Sequence, residues 1–157
     1  DLFAFLVKRH KITGIRAFSK SAFAKQLRIP GMVMFRASSG GETVGLDLWY
    51  VQGQVAYGHL VACSPLGYKL SASYALKWFL IQYFADKVNW IDMGGTTGIE
   101  PDTDDGLTKF KRGWATGTRP VYFCGRILND QIYSELVKAM GTPTSDYFPA
   151  YRAREFS

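Results

Sequence analysis

Hydrophobic and polar positions change period several times along the chain, and each change predicts an element boundary. Residues 2–11 place Leu2, Phe5, Leu6 and Arg9 at helical spacing, and Gly14 stops the pattern. Ser19 has the side-chain oxygen that caps a helix start, ahead of a second helix that carries Phe23 and Leu27 and ends by Pro30. Period two takes over from there. Residues 31–37 read as a strand closed by the turn Ser38-Ser39-Gly40-Gly41. Residues 42–52 alternate, with Val44, Leu46, Leu48 and Tyr50 on one face and Gly45, Asp47, Trp49 and Val51 on the other. The turn Gln52-Gly53-Gln54 leads into a third strand over 55–63. Links this short cannot make a crossover, so the three strands form an antiparallel meander.

A loop is expected over 64–70. Residues 71–86 then predict a helix with Ala72, Ala75, Leu76, Phe79, Leu80, Tyr83 and Phe84 as a wide inward stripe. A strand over 88–93 follows, and strand–helix–strand implies a parallel pair. A short cationic helix over 104–112, a strand over 119–128 and an Asn129-capped helix to 140, with Ile132, Leu136 and Ala139 inward, complete the pattern before an aromatic, irregular tail. The expected fold class is α+β with a mixed sheet: an antiparallel meander followed by β-α-β, the parallel pair splaying where it meets the meander. Ligands of open α/β sheets sit at such junctions. A length of 157 residues suits a single domain over 1–157.

Composition narrows the partners. With 47% apolar and 20% charged residues the chain is globular rather than disordered. A net charge of +6 favours phosphates, nucleic acid, an acidic membrane surface or a nucleotide-linked substrate. The cations are scattered, without the long basic run of a nucleic-acid-binding arm. Cys63 and Cys124 both stand in apolar, strand-like surroundings and are expected as buried free thiols. Two cysteines and two histidines without close spacing do not make a zinc site, so no metal is expected. The apolar stretches fall short of the ~20 residues of a membrane helix, no leader peptide is visible, and a cytoplasmic location is expected. The chain opens on Asp1 and is periodic at once, so a fragment of a longer protein is expected.

Residues 105–120 carry the most chemistry. Lys109, Lys111 and Arg112 share one short amphipathic turn with Phe110 and Trp114, just after a strand ending in Asp92-Met93-Gly94-Gly95. A positive helix between two strands of a sheet can meet an anionic or oxyanionic reaction partner. Asp92 ends a parallel strand, where substrate-facing groups often lie; its other role is to cap the following loop. His59 has the ordinary pKa of a general base for an amine, and Tyr68 is a candidate proton donor to a leaving group. Lys69 and the helix start at Ser71 and Ser73 are candidates for holding phosphate. Gly94-Gly95-Thr96-Thr97-Gly98 lacks the spacing of a nucleotide-binding loop and reads as a turn over a cleft mouth. Asp102, Asp104 and Asp105 suit the start of the cationic helix.

In this order the elements resemble the GNAT superfamily of N-acyltransferases. The local motifs resemble its Fem-type aminoacyltransferases and the related acetyltransferase-like domains of envelope polysaccharide synthesis. The matching residues are Trp90-Ile91-Asp92-Met93-Gly94-Gly95, Gly106-Leu107-Thr108-Lys109-Phe110-Lys111-Arg112-Gly113-Trp114, Arg119-Pro120-Val121-Tyr122 and Tyr147-Phe148-Pro149-Ala150-Tyr151-Arg152. The resemblance implies transfer of an acetyl or aminoacyl group to an amine of a cell-envelope (peptidoglycan or polysaccharide) precursor, nucleotide- or lipid-linked. Lys111 is implicated in transfer, with Phe110 beside it. Asp92, Phe110, Arg112 and Trp114 are then substrate contacts, and Lys69, Ser71 and Ser73 donor contacts. Fem-type proteins contain two GNAT-like halves and this chain resembles the C-terminal one, which implies an N-terminal half as partner. Acetyl-CoA-using members carry a Gln/Arg-x-x-Gly-x-Gly/Ala loop, whereas residues 64–73 contain Gly67 alone. The donor therefore stands between acetyl-CoA and aminoacyl-tRNA, with tRNA as a partner in the second case. A catalytically inactive GNAT-like module that binds an anionic glycan or nucleic acid is the alternative.

Overall fold

Three strands form where the period-two pattern puts them: β1 (Met32–Ser39), β2 (Glu42–Gln52) and β3 (Val55–Cys63). The computed structural model describes residues 1–95, 105–122, 124–142 and 144–155. Thr96, Thr97, Gly98, Asp102 and Asp104 lie outside the described residues. β1–β2 and β2–β3 pair antiparallel, and β4 (Trp90–Asp92) joins β3 in parallel, in the order β1-β2-β3-β4. The mixed sheet is thus as expected. Trp49 pairs with Gly58 but Leu48 with Leu60, so His59 is an extra residue on β3, a β-bulge. The parallel ladder runs only from Val55↔Trp90 to Tyr57↔Asp92. Ladder end and bulge are therefore two residues apart on β3, and the strands part there.

Helices cover both faces. α1 (Leu2–His10) and α2 (Lys20–Gln26) lie on one side, where Leu2, Phe3 and Phe23 line a cavity together with Leu48, Leu60 and Ala62 of the sheet. Ser19 caps α2 as expected, its Oγ accepting the Ala22 N–H at 3.1 Å. On the other face, Leu76, Leu80 and Phe84 of α4 (Ala72–Phe84) pack on Phe35, Trp49 and Ala56. Burying each large side chain there contributes about 2 kcal/mol.

Several boundaries differ from the sequence expectation. The stripe of α4 is narrower: Ala72, Leu76, Lys77, Leu80 and Phe84 are buried, while Ala75, Phe79 and Tyr83 are exposed. The helix is apolar nearly all round, so its periodicity does not choose the face; the sheet does. Residues 64–70 are not a loop, because they contain α3 (Pro65–Lys69). Ser64 Oγ accepts the Gly67 N–H at 3.0 Å and Pro65 occupies the first turn, two signals that start a helix.

The strand expected over 119–128 is absent among its described residues, and Val121 and Leu128 are 89% and 90% exposed. Strand-like residues form a strand only when a sheet edge takes them up. Arg119 instead lays its guanidinium over the Trp90 ring, 4.1 Å from the centroid. Asn129 caps α6 (Asp130–Ala139) as expected, but Tyr133 and Val137 face inward, not Ile132, Leu136 and Ala139. The reason is that α6 packs on the tail turn Ala150–Glu155, where the Ala150 N–H donates to Tyr133 Oη at 2.8 Å. Cys63 is buried as expected; Cys124 is exposed, since its strand does not form. Among the described residues no helix is long and apolar enough to cross a membrane.

Candidate functional site

The motif helix α5 (Gly106–Arg112) starts at a strong cap. Asp105 Oδ1 accepts the N–H groups of Leu107 at 2.7 Å and Thr108 at 3.0 Å, and its Oδ2 accepts the Thr108 hydroxyl. These hydrogen bonds, the Thr108 hydroxyl first, hold the Asp105 carboxyl below its ordinary pKa. Three rings then seat α5 against α4. Tyr74 meets Phe110 edge-on with centroids 5.0 Å apart and Trp114 at 6.0 Å.

With α5 held by its rings, Lys111 faces the sheet. Its side chain is half-buried, and Nζ donates to the Gly95 carbonyl. A Cβ added at Gly94 would lie 3.6 Å from Nζ and 3.7 Å from the Gly58 carbonyl, so the amine stands where β3 and β4 part. Gly94 has φ +78°, a conformation glycine adopts without strain. Its N–H donates to Asp92 Oδ1 at 2.7 Å, so Asp92 caps the turn that presents the Gly94–Gly95 backbone to Lys111. Burial lowers the Lys111 pKa and the Lys77 charge lowers it further, opposed by Asp105 and Asp92.

The structure brings Lys111 and Asp92 together at the Gly94–Gly95 turn, while Phe110 and Trp114 meet Tyr74 of α4 and Arg112 is exposed on α5. It turns His59 and Tyr68 elsewhere. His59 Nε2 bonds Gln26 Oε1 of α2 at 2.9 Å, and its ring lies beside Phe18 and Tyr50, on the face that the N-terminal helices cover. Burial lowers its pKa. Tyr68, on α3, has the Arg9 guanidinium of α1 4.3 Å from its ring centroid and Phe5 nearby. Lys69, Ser71 and Ser73 follow one another into the start of α4. Lys69 and Ser71 are exposed, and the Ser71 side chain makes no capping hydrogen bond. Gly67 serves packing instead: a Cβ there would lie 2.0 Å from the Val44 carbonyl oxygen.

One cluster was missed in sequence reading. Asp47 and Lys77, 1% and 7% exposed, form a salt bridge of 2.7 Å beneath α4. Trp49 Nε1 donates to Asp47 Oδ1 at 2.8 Å, and Lys77 Nζ lies 4.7 Å from the Trp49 ring centroid. The signals were a lone carboxylate on the strand face shared by Trp49 and Val51, and a lone lysine among the apolar residues of α4. Among the described residues, no group of three or more His, Cys, Asp and Glu is arranged to hold a metal.

The family described as an acetyltransferase (GNAT) domain matches residues 7–112, which contain the whole sheet and α5. Two solved structures share the fold, both of an aminoglycoside acetyltransferase from an uncultured soil metagenomic sample, one with trehalose and one with sisomicin. Each has a TM-score of 0.59 and 17% identity, covering 82% of this chain and 86% of the other. No curated protein matches the chain. The family match spans most of the chain and includes the helix that carries Lys111, so the protein belongs to the GNAT acetyltransferase family and is an acyltransferase.

Proposed function

We propose that the protein transfers an acetyl or aminoacyl group to an amine of a peptidoglycan or polysaccharide precursor in the cytoplasm, with Lys111 as the cation that meets the developing oxyanion. The observation that carries this reading is the half-buried Lys111 amine at the opening between β3 and β4. The acceptor nitrogen attacks the carbonyl carbon of the donor, forming a C–N bond, and negative charge builds on the carbonyl oxygen. Collapse breaks the C–S bond of a thioester, or the C–O bond of an aminoacyl ester, and the ammonium proton passes to solvent or to the leaving group. A fixed cation beside that oxygen is worth about 3–4 kcal/mol of barrier. The Fem-type motif around Phe110 and Lys111 favours an envelope acceptor, and it also favours a second, N-terminal GNAT-like half as partner in the full protein.

GNAT acetyltransferases use acetyl-CoA, and the protein offers its phosphates Lys69, Ser71, Ser73 and the N-terminal end of α4. These groups fit a phosphate-bearing donor chemically. Gly67 does not act as a cradle, because its missing side chain accommodates Val44. That observation keeps aminoacyl-tRNA as the alternative donor, whose phosphates suit the same cations. His59 and Tyr68 receive no proton-transfer step, since both are held toward the N-terminal helices.

Thermal unfolding in the presence of acetyl-CoA, aminoacyl-tRNA and a UDP-linked muropeptide tests the reading. Stabilisation by one donor and by the muropeptide, together with product formation, is expected. Stabilisation by an anionic glycan or nucleic acid without turnover would favour the inactive binding module.

A further inference from the structure

We infer that Lys77, clamped by Asp47 and the Trp49 ring, is a positioning residue for Lys111: its fixed positive charge stands behind the Lys111 ammonium and keeps it turned out toward the β3–β4 opening. This rests on the role proposed above for Lys111. A buried ion pair is weak as a stabilising device, since apolar residues of similar volume often do as well or better. The Asp47–Lys77 pair is nonetheless nearly sealed from water, at a contact of 2.7 Å.

A continuous path joins the pair to the site. Lys77 lies over the Trp49 ring, and the far edge of that ring is 3.2 Å from the Cβ position of Gly58. The Gly58 carbonyl is 3.7 Å from the Cβ position of Gly94, which is 3.6 Å from Lys111 Nζ. Glycine at 58 and 94 removes the side chains that would otherwise separate these groups. Helix α4 also carries Tyr74 one turn before Lys77, so one helix seats the backbone of α5 and supplies the charge that faces it.

The charges around Lys111 are arranged asymmetrically. Lys77 of α4, paired with Asp47 of β2, acts on it through its positive charge. Asp92 at the end of β4 and Asp105 at the start of α5 attract it, and the Gly95 carbonyl accepts a hydrogen bond from it. On β3, Gly58 brings no charge and His59 bonds on the opposite face. Repulsion from Lys77 opposes attraction from the carboxylates in setting the charge of the ammonium, and the burial of Lys77 leaves little water to screen the repulsion. Lys77 is the largest charge contribution that lowers the Lys111 pKa, after burial itself.

The test titrates Lys111 by competitive labelling with acetic anhydride across pH, read by mass spectrometry on the protein without donor or acceptor. D47N/K77M removes both buried charges together, and K77R keeps the positive one. The Lys111 midpoint is expected to rise by about half a pH unit or more in D47N/K77M and to stay near the parent value in K77R. The alkaline limb of acyl transfer should move up with it. If D47N/K77M does not fold, D47N/K77Q, which also removes both charges, makes the same comparison. An unmoved midpoint in a folded, charge-free variant overturns the inference and leaves the role of Lys111 untouched. A midpoint that rises while the alkaline limb stays fixed supports the electrostatic link and counts against Lys111 as the oxyanion cation.

Discussion

The Tyr74 ring of α4 meets the Phe110 ring of α5 edge-to-face with 5.0 Å between centroids, and this contact directs Lys111, the next residue, toward the sheet. Tyr74 is 55% exposed, so its ring matters more for placing α5 than for the core. Replacing Tyr74 with Ala should cost only about 1–2 kcal/mol of stability while lowering kcat at least ~10-fold. Tyr74→Phe should keep both near the parent values. Calorimetry and steady-state kinetics on the two variants check this; equal losses of kcat in both would contradict it.

Removing Asp47 alone strands the Lys77 ammonium in the core. Asp47→Ala should lose about 3–5 kcal/mol, whereas D47N/K77M should lose far less because no charge is left unpaired. Burial pushes the Asp47 carboxyl above its ordinary 3.8, against the lowering effect of Lys77. A raised folded pKa means the folded state holds the proton more tightly. Its contribution is full below the unfolded value and declines as pH rises through the folded value. The melting temperature of the parent should carry that decline relative to Asp47→Asn as pH rises above 3.8.

His59 gives the opposite slope. Burial depresses its pKa below the ordinary 6.5, so its contribution is present above that value and is lost as pH falls through the folded value. His59→Gln should flatten the melting curve below pH ~6.5. It should also leave kcat within about threefold of the parent, because the ring sits under α2 and away from the opening. A drop of ~100-fold or more would restore His59 as a general base.

Gly67→Ala tests the claim that the glycine before α4 packs rather than cradles. Its Cβ would meet the backbone oxygen of Val44 at 2.0 Å, and backbone cannot swing aside as a side-chain tip can. A loss of about 3 kcal/mol or more is expected, seen in the melting temperature. Unchanged stability with weaker donor binding would identify the glycine as a ligand contact instead.

Local signals were legible in the sequence and pairings were not. The limits of β2 and β3, the caps at Ser19 and Asn129 and the parallel pairing of β3 with β4 follow from alternation, turn glycines and the β-α-β order. The face of α4 was hidden because Trp78, Phe79 and Tyr83 are as apolar as the residues it buries. The Asp47–Lys77 bridge joins positions 30 apart, and only packing shows that two isolated charges on apolar faces neutralise each other. The strand expected over 119–128 had the right residues and lacked a partner edge. The Phe110–Lys111 motif and the glycine-rich turn that begins at Gly94 marked their own places, while Gly58, which stands beside them on β3, had no distinguishing pattern around it.

The most direct measurement is the turnover of Lys111→Ala and Lys111→Arg beside the parent protein, with the donor that stabilises the fold and a UDP-linked muropeptide as acceptor. Lys111→Ala should lose about 100- to 1,000-fold in kcat with its melting temperature and donor binding retained, and Lys111→Arg should recover part of that loss. Turnover in Lys111→Ala equal to the parent would contradict the account.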